Sequence, residues 1–229
     1  MTGRELRKYR KSSDLTQQQA AKKLGVSQTY LSLLENDKRH LTEGLRQKLV
    51  RKFHVRPTEF PAKARSYKIA KVSDGQLTAD LSALGYLGFS HYKPSRLKNP
   101  ADVLLSALNS DKRDARLVEA LPWLVLKFHE MDWKRLVATA KLYDLQNRLG
   151  FVTNIARHLA ESRGYAQTAK RLGEVESKLE RSRLEHEETL CNETMTNAER
   201  RWLATNRTDD AKHWRILASL SPQLVRYVN

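Results

Sequence analysis

Apolar residues in the first sixty positions fall at helical spacing, and capping or turn residues separate each run from the next. The pattern predicts a first helix over about residues 3–11. A second turns Ala20, Ala21 and Leu24 inward between Thr16 and Gly25. A third places Leu31 and Leu34 behind Ser27, with Val26 plugging the corner between the two. A fourth, over about 42–53, buries Leu45, Leu49, Val50 and Phe53. Pro57 and Pro61 then break the chain, and residues 61–76 read as a basic linker, either solvated or following a nucleic-acid backbone as basic arms do. The first domain is thus 1–60.

Helical spacing resumes near Leu77 and defines a second domain over 77–162. Helices are expected over 78–84, 101–108, 114–128 (kinked or divided at Pro122), 132–147 and 151–161, with Gly150 separating the last two. Residues 85–100, with Tyr86, Phe89, His91 and Tyr92, read as a long irregular turn. A C-terminal helical extension occupies 163–229. Over 165–205 it is rich in Glu, Lys, Arg and Leu, and Leu172, Val175 and Leu179 start a heptad that fails at His186 and Thr189. A long, partly exposed helix is expected there. Beyond Asp209, Trp214, Ile216, Leu217, Leu220, Leu224 and Val225 predict an apolar helix that must bury itself against the middle domain or a second subunit. Nothing reads as a strand, so the predicted fold class is all-α.

The chemistry is densest between Leu15 and Asn36. Thr16 offers a hydroxyl acceptor to a helix-start N–H, and Gln19 completes a capping box. Gly25 suits the left-handed residue that ends a helix, and Ser27 caps the next one. Gln28, Thr29, Ser32 and Leu33 are left facing outward from the first turns of the third helix. Glutamine pairs with adenine in a bidentate fashion, and Thr or Leu touches a thymine methyl, so this set suits the major groove.

Together with Arg10, Lys38 and Arg39, these residues resemble the phage-repressor-type, or Xre, helix-turn-helix family over about residues 3–60. The resemblance implies a five-helix repressor domain. It implies that Gln28, Thr29, Ser32 and Leu33 read bases, and that Gln17, Ser27, Asn36, Lys38 and Arg39 contact phosphates. Gln17 would also brace Gln28, and Arg10 and Glu35 would form a partly buried ion pair tying the first helix to the third. Dimers of such domains read two half-sites one helical turn apart, so the expected partners are a palindromic double-stranded DNA operator and a second copy of the chain. One departure stands out. Many family members carry Gly-x-Arg-x-Pro after the recognition helix, whereas this chain has Asp37-Lys38-Arg39-His40-Leu41, which leaves the conformation of that turn open.

Charge sharpens this picture. The chain of 229 residues has a formal net charge of +16. Residues 1–72 hold 18 Lys/Arg against 6 Asp/Glu, a net +12, and the remainder is close to balance. Positive charge concentrated on the segment with the motif is the footprint of phosphate binding. A single cysteine, Cys191, excludes an internal disulfide and a cysteine-based zinc site. The basic, polar first 14 residues do not read as a signal segment, and no apolar run has the length of a membrane span. A cytoplasmic protein with no membrane partner is expected.

Catalytic candidates are thin. His129-Glu130 begins a zinc-protease pattern, but Trp133 stands where the second histidine belongs. The carboxylates of 174–188 interleave with Lys178, Arg181 and Arg183, as on a salt-bridged exposed helix. No enzyme activity, catalytic residue, metal or cofactor is expected. The segments 99–108, 119–123 and 141–151 resemble the body of bacterial Xre-family regulators that act as antitoxins in two-gene modules. That resemblance implies an autorepressor that also silences a protein toxin. Asp144, Gln146, Asn147 and Arg148 read equally as a polar helix end packed beside aromatic residues. Two alternatives stand beside this: a ligand-sensing regulator with a cavity near Trp123, Trp133 and Tyr143, and a helical interaction scaffold.

Overall fold

Four helices of the first unit each begin at a hydroxyl cap. Thr2 starts α1 (Gly3–Ser12), Thr16 starts α2 (Gln17–Leu24), Ser27 starts α3 (Gln28–Glu35) and Thr42 starts α4 (Glu43–Phe53), every cap oxygen accepting from the N–H three residues on. Each cap satisfies one of the donors that a helix start leaves unpaired. Gly25 ends α2 at φ 69°, ψ 45°, the left-handed region. Leu6, Ala20, Ala21, Leu24, Leu31, Leu34, Leu45, Leu49, Phe53 and Val55 form the core of this unit.

The computed structural model describes residues 1–56 and 68–227, and the chain divides into two units, Met1–Ala64 and Arg65–Asn229. Residues 57–67, which hold the end of the predicted first domain and the first part of the predicted linker, lie outside the described residues, and four of the five expected repressor helices are described. The later part of that linker belongs to the second unit. Ile69 is buried in its core with Val72 packed beside it, and α5 (Asp74–Ala83) starts at a Ser73 cap.

The second unit is built around α10 (Gln146–Ser162), which is buried on nearly every side and packs chiefly on α8 (Leu121–Lys127) and α11 (Ala166–Glu180). Helices α6 (Pro100–Leu108), α7 (Ala115–Glu119) and α9 (Trp133–Leu142) also belong to it. The predicted 114–128 helix is divided between α7 and α8 at Ala120, with Pro122 in the first turn of α8, where a missing N–H costs nothing.

Gly150 lies inside α10 and does not separate two helices. A Cβ there would stand 2.1 Å from the Trp214 ring, so this glycine serves close packing. The break falls at Asp144, which takes φ 55°. The predicted long helix over 165–205 is also corrected. Helix α11 stops at Glu180, irregular chain follows, and α12 (Asn197–Asn206) and α13 (Asp209–His213) are short. Two-residue strands β1 (Glu188–Thr189) and β2 (Ile216–Leu217) pair in parallel, so the terminal apolar run is not a helix. Left-handed turns at Cys191 and Arg215 interrupt helical propagation. Leu172, Val175, Leu179, Trp214, Ile216 and Leu220 share one core with α6, α8 and α10, so 163–229 completes the second unit. Among the described residues the architecture is all-α apart from that one pair of strands.

Two buried polar side chains of this core are extensively paired, whereas Gln146 Oε1, Asn154 Oδ1 and Trp214 Nε1 have no hydrogen-bond partner among the described residues. Arg148 donates to the carbonyls of Leu108 and Ser110 and meets Glu188 at 2.7 Å and Glu193 at 3.0 Å. Asn147 exchanges two hydrogen bonds with the Leu184 backbone, at 2.8 and 3.0 Å. Both residues therefore hold the 181–193 segment in place.

Candidate nucleic-acid interface

Helix α3 projects from the corner formed by Gly25 and Val26, and its apolar face is spent on Leu31 and Leu34. Its opposite face starts with Gln28 and Thr29, both exposed, followed by half-buried Ser32 and Leu33. The side chains of Gln28 and Thr29 form no hydrogen bond to the described residues, so their polar atoms face solvent. The Ser27 hydroxyl accepts from the Tyr30 N–H at 3.1 Å. As an acceptor in the cap it keeps its own hydrogen, which can be donated to a phosphate oxygen.

The ion pair implied by the resemblance is formed. Arg10 Nε and Nη2 donate to the two Glu35 oxygens at 2.6 and 3.2 Å, while Nη1 donates to the Leu15 carbonyl at 2.8 Å. The Glu35 side chain is fully buried and that of Arg10 nearly so. Burial opposes the Glu35 carboxylate, but hydrogen bonds from Arg10 and Gln17 and the nearby Arg7 hold its pKa below the ordinary value. The same hydrogen bond raises the Arg10 pKa, so both charges persist at neutral pH.

Gln17 sits where it differs from expectation. Its amide donates to Glu35 Oε2 at 2.9 Å, so it braces the ion pair and not Gln28. One amide hydrogen remains to be donated to a phosphate oxygen, and the carbonyl oxygen can accept from a water. Asn36 is likewise engaged. Its amide donates to the Ser32 carbonyl at 2.9 Å and its oxygen accepts from Arg7 at 2.8 Å. Lys38 and Arg39 are exposed just beyond it.

Two supports escaped the sequence reading. Lys48 and Lys52 of α4 donate to the carbonyls of Leu24 and Lys23 at 2.8 and 2.7 Å, capping the negative end of α2. Their i, i+4 spacing was visible, but their target depends on how α4 packs. The Lys23 ammonium lies 5.2 Å from the Phe53 ring centroid. These contacts tie α4 to α2 and leave the Gln28–Thr29 edge open.

Elsewhere, the zinc-protease fragment is accounted for by packing. Trp133 Nε1 donates to the His129 carbonyl at 2.8 Å, and His129 Nδ1 lies 3.1 Å from the Leu126 carbonyl. Among the described residues no group of three His, Cys, Asp or Glu is placed to hold a metal ion. No described helix is long and apolar enough to cross a membrane.

Searches of curated proteins and of solved structures returned no match. Residues 6–60 match the helix-turn-helix family, and that span contains the ion pair, the glycine corner and the exposed start of α3. This unit is therefore a helix-turn-helix domain of the Xre, phage-repressor type, and the chain that carries it is a DNA-binding transcription regulator.

Proposed function

We propose that this regulator is an autorepressor that binds a palindromic operator as a homodimer and acts as antitoxin to a toxin encoded beside it. The observation that carries its DNA-reading part is the arrangement of α3: Gln28 and Thr29 exposed at its start, Lys38 and Arg39 exposed at its exit. Gln28, Thr29, Ser32 and Leu33 read base edges. Ser27, Lys38 and Arg39, with the remaining amide hydrogen of Gln17, fix the register on phosphates. Asn36 contributes mainly by holding the loop. With few strong hydrogen-bonding base readers, DNA shape supplies part of the specificity. The antitoxin role rests on the likeness of segments 99–108, 119–123 and 141–151 to antitoxin regulators, and a second unit larger than DNA binding requires supports it.

Small-molecule sensing finds less support. The Trp123 ring is covered by Tyr86 at 4.9 Å, Phe128 at 6.4 Å and Lys127 at 4.8 Å, and the Tyr143 hydroxyl accepts from the Ile69 N–H at 3.4 Å.

The test is fluorescence anisotropy with the chain's own upstream DNA against a scrambled duplex, at several salt concentrations. Preferential binding with a steep salt slope and a two-fold symmetric footprint supports a dimeric autorepressor. Equal, weak binding to both duplexes counts against autorepression. Co-expression with each neighbouring gene tests the antitoxin role, and the absence of any toxic neighbour rescued by the chain overturns it.

A further inference from the structure

Three consecutive residues at the exit of α3 are each held by α1. Arg10 and Arg7 hold the carboxylate of Glu35, with Arg7 Nε at 3.4 Å. Arg7 Nη2 donates to Asn36 at 2.8 Å. The Gly3 N–H donates to Asp37 Oδ1 at 2.6 Å. Positions 3, 7 and 10 stand at i, i+4 and i+7, along one face of α1. Residues 35, 36 and 37 therefore run antiparallel to that face, one rung per turn.

The last rung is unusual. The Gly3 N–H is one of the donors a helix start cannot pair internally, and an acceptor carboxylate is favoured at that positive end. Its approach needs glycine: a Cβ on Gly3 would lie 2.5 Å from the carbonyl oxygens of both Leu34 and Glu35. Asp37 itself takes φ 56°, a left-handed conformation that glycine adopts without cost and Asp only tolerates. Its negative charge also sits directly before Lys38 and Arg39, where it opposes a DNA phosphate. Strain and repulsion both argue against Asp here, and the bond to Gly3 is what it supplies in return.

We propose that Asp37 is a positioning residue for DNA docking: its carboxylate fastens the loop carrying Lys38 and Arg39 to the start of α1, setting where those two cations stand relative to the recognition helix. This rests on the reading of Lys38 and Arg39 as phosphate contacts. It also assigns Arg7 and Arg10 to the clasp, since both already serve acidic or amide oxygens, and leaves the loop's phosphate binding to Lys38 and Arg39.

The experiment uses the full chain and a scrambled duplex, which isolates sequence-independent phosphate binding, with affinity measured against salt concentration. Asp37→Asn keeps an acceptor and a residue type that tolerates the left-handed turn but removes the charge. Asp37→Gly keeps the turn and removes the acceptor. Asp37→Asn should bind as tightly as the parent or more tightly. Asp37→Gly should bind roughly three- to tenfold more weakly than Asp37→Asn, the net worth of one hydrogen bond, with a shallower salt slope and an unprotected Gly3 amide in hydrogen exchange. In the background of Lys38→Ala with Arg39→Ala, the Gly and Asn variants should bind alike, because no cation is left to position. Asp37→Gly matching Asp37→Asn in affinity and slope, while Lys38→Ala with Arg39→Ala still flattens the slope, overturns the positioning role alone. An unchanged slope in Lys38→Ala with Arg39→Ala overturns the phosphate reading and the proposal together.

Discussion

Replacing Arg10 with Met tests how much of the DNA-binding unit depends on its buried charge pair. Met keeps most of the aliphatic reach and removes the guanidinium. The change deletes two hydrogen bonds to Glu35 and one to the Leu15 carbonyl, leaving a fully buried carboxylate. Stranding one partner of a buried pair costs about 3–5 kcal/mol. Glu35 retains Gln17 at 2.9 Å and the more exposed Arg7 at 3.4 Å, which places the expected loss near the lower end, at about 3 kcal/mol. That is a large share of the ~5–15 kcal/mol by which domains are stable. Urea unfolding followed by far-UV circular dichroism measures it. Trp123, Trp133, Trp202 and Trp214 all belong to the second unit, so a transition seen by dichroism without a matching tryptophan signal reports the first unit. The pH dependence supplies a second check. In the parent the Glu35 pKa is lowered from 4.5. Its stabilising contribution is therefore present above that value and fades as pH falls through the folded-state pKa. In the variant burial dominates and raises the pKa, so Glu35 protonates sooner and the deficit relative to the parent shrinks on acidification. A deficit below about 1 kcal/mol at neutral pH, or one that does not change as pH falls, would refute the account of the pair.

The remaining predictions concern recognition and the second core. Gln28→Ala should lose about 1–3 kcal/mol of operator binding and relax preference at one base pair, whereas Lys38→Ala should weaken all duplexes alike and lower the salt slope by about one; equal effects in anisotropy titrations would contradict this division of labour. Gly150→Ala drives a methyl into the Trp214 ring and should destabilise the second unit by at least ~1–3 kcal/mol, the usual cost of overpacking. Tryptophan fluorescence in urea reads this, and an unchanged midpoint would be the contrary result. Burial pushes the Cys191 thiol up to about 11, so it should resist a thiol reagent at neutral pH in the folded chain and react only in denaturant. Prompt labelling of the native protein would show that the thiol is accessible.

The helix-turn-helix was legible because its determinants are local. Thr16, Gln19, Gly25 and Ser27 act within three residues of themselves, through caps and one left-handed turn, and Leu31 and Leu34 mark the inner face of α3 by spacing alone. The charge concentrated before residue 72 pointed to the same ligand. The Arg10–Glu35 pair came from resemblance, since no spacing rule connects residues 25 apart. Gln17 shows the limit: its type matched the family pattern, but its hydrogen-bond partner is set by where Glu35 lies.

In the second unit the helical class followed from composition and period, and the long-range arrangement did not. A glycine in a helical run reads as a break, yet Gly150 lies inside α10 because the Trp214 ring, 64 positions later, occupies the space a Cβ would take. A charged, leucine-bearing run reads as one long helix, yet Glu188 and Thr189 pair in parallel with Ile216 and Leu217, and Leu190 and Cys191 then join the core at a left-handed turn. Asn147 and Arg148 sit at a polar helix end in the sequence, and only their backbone partners at Leu184, Leu108 and Ser110 make them internal struts. Propensity and periodicity act over a few residues, so they determine which segments coil and which face is apolar. Which neighbour covers that face, and which polar group must therefore be paired or which side chain omitted, is decided by three-dimensional packing, where each contact depends on residues far apart in the chain.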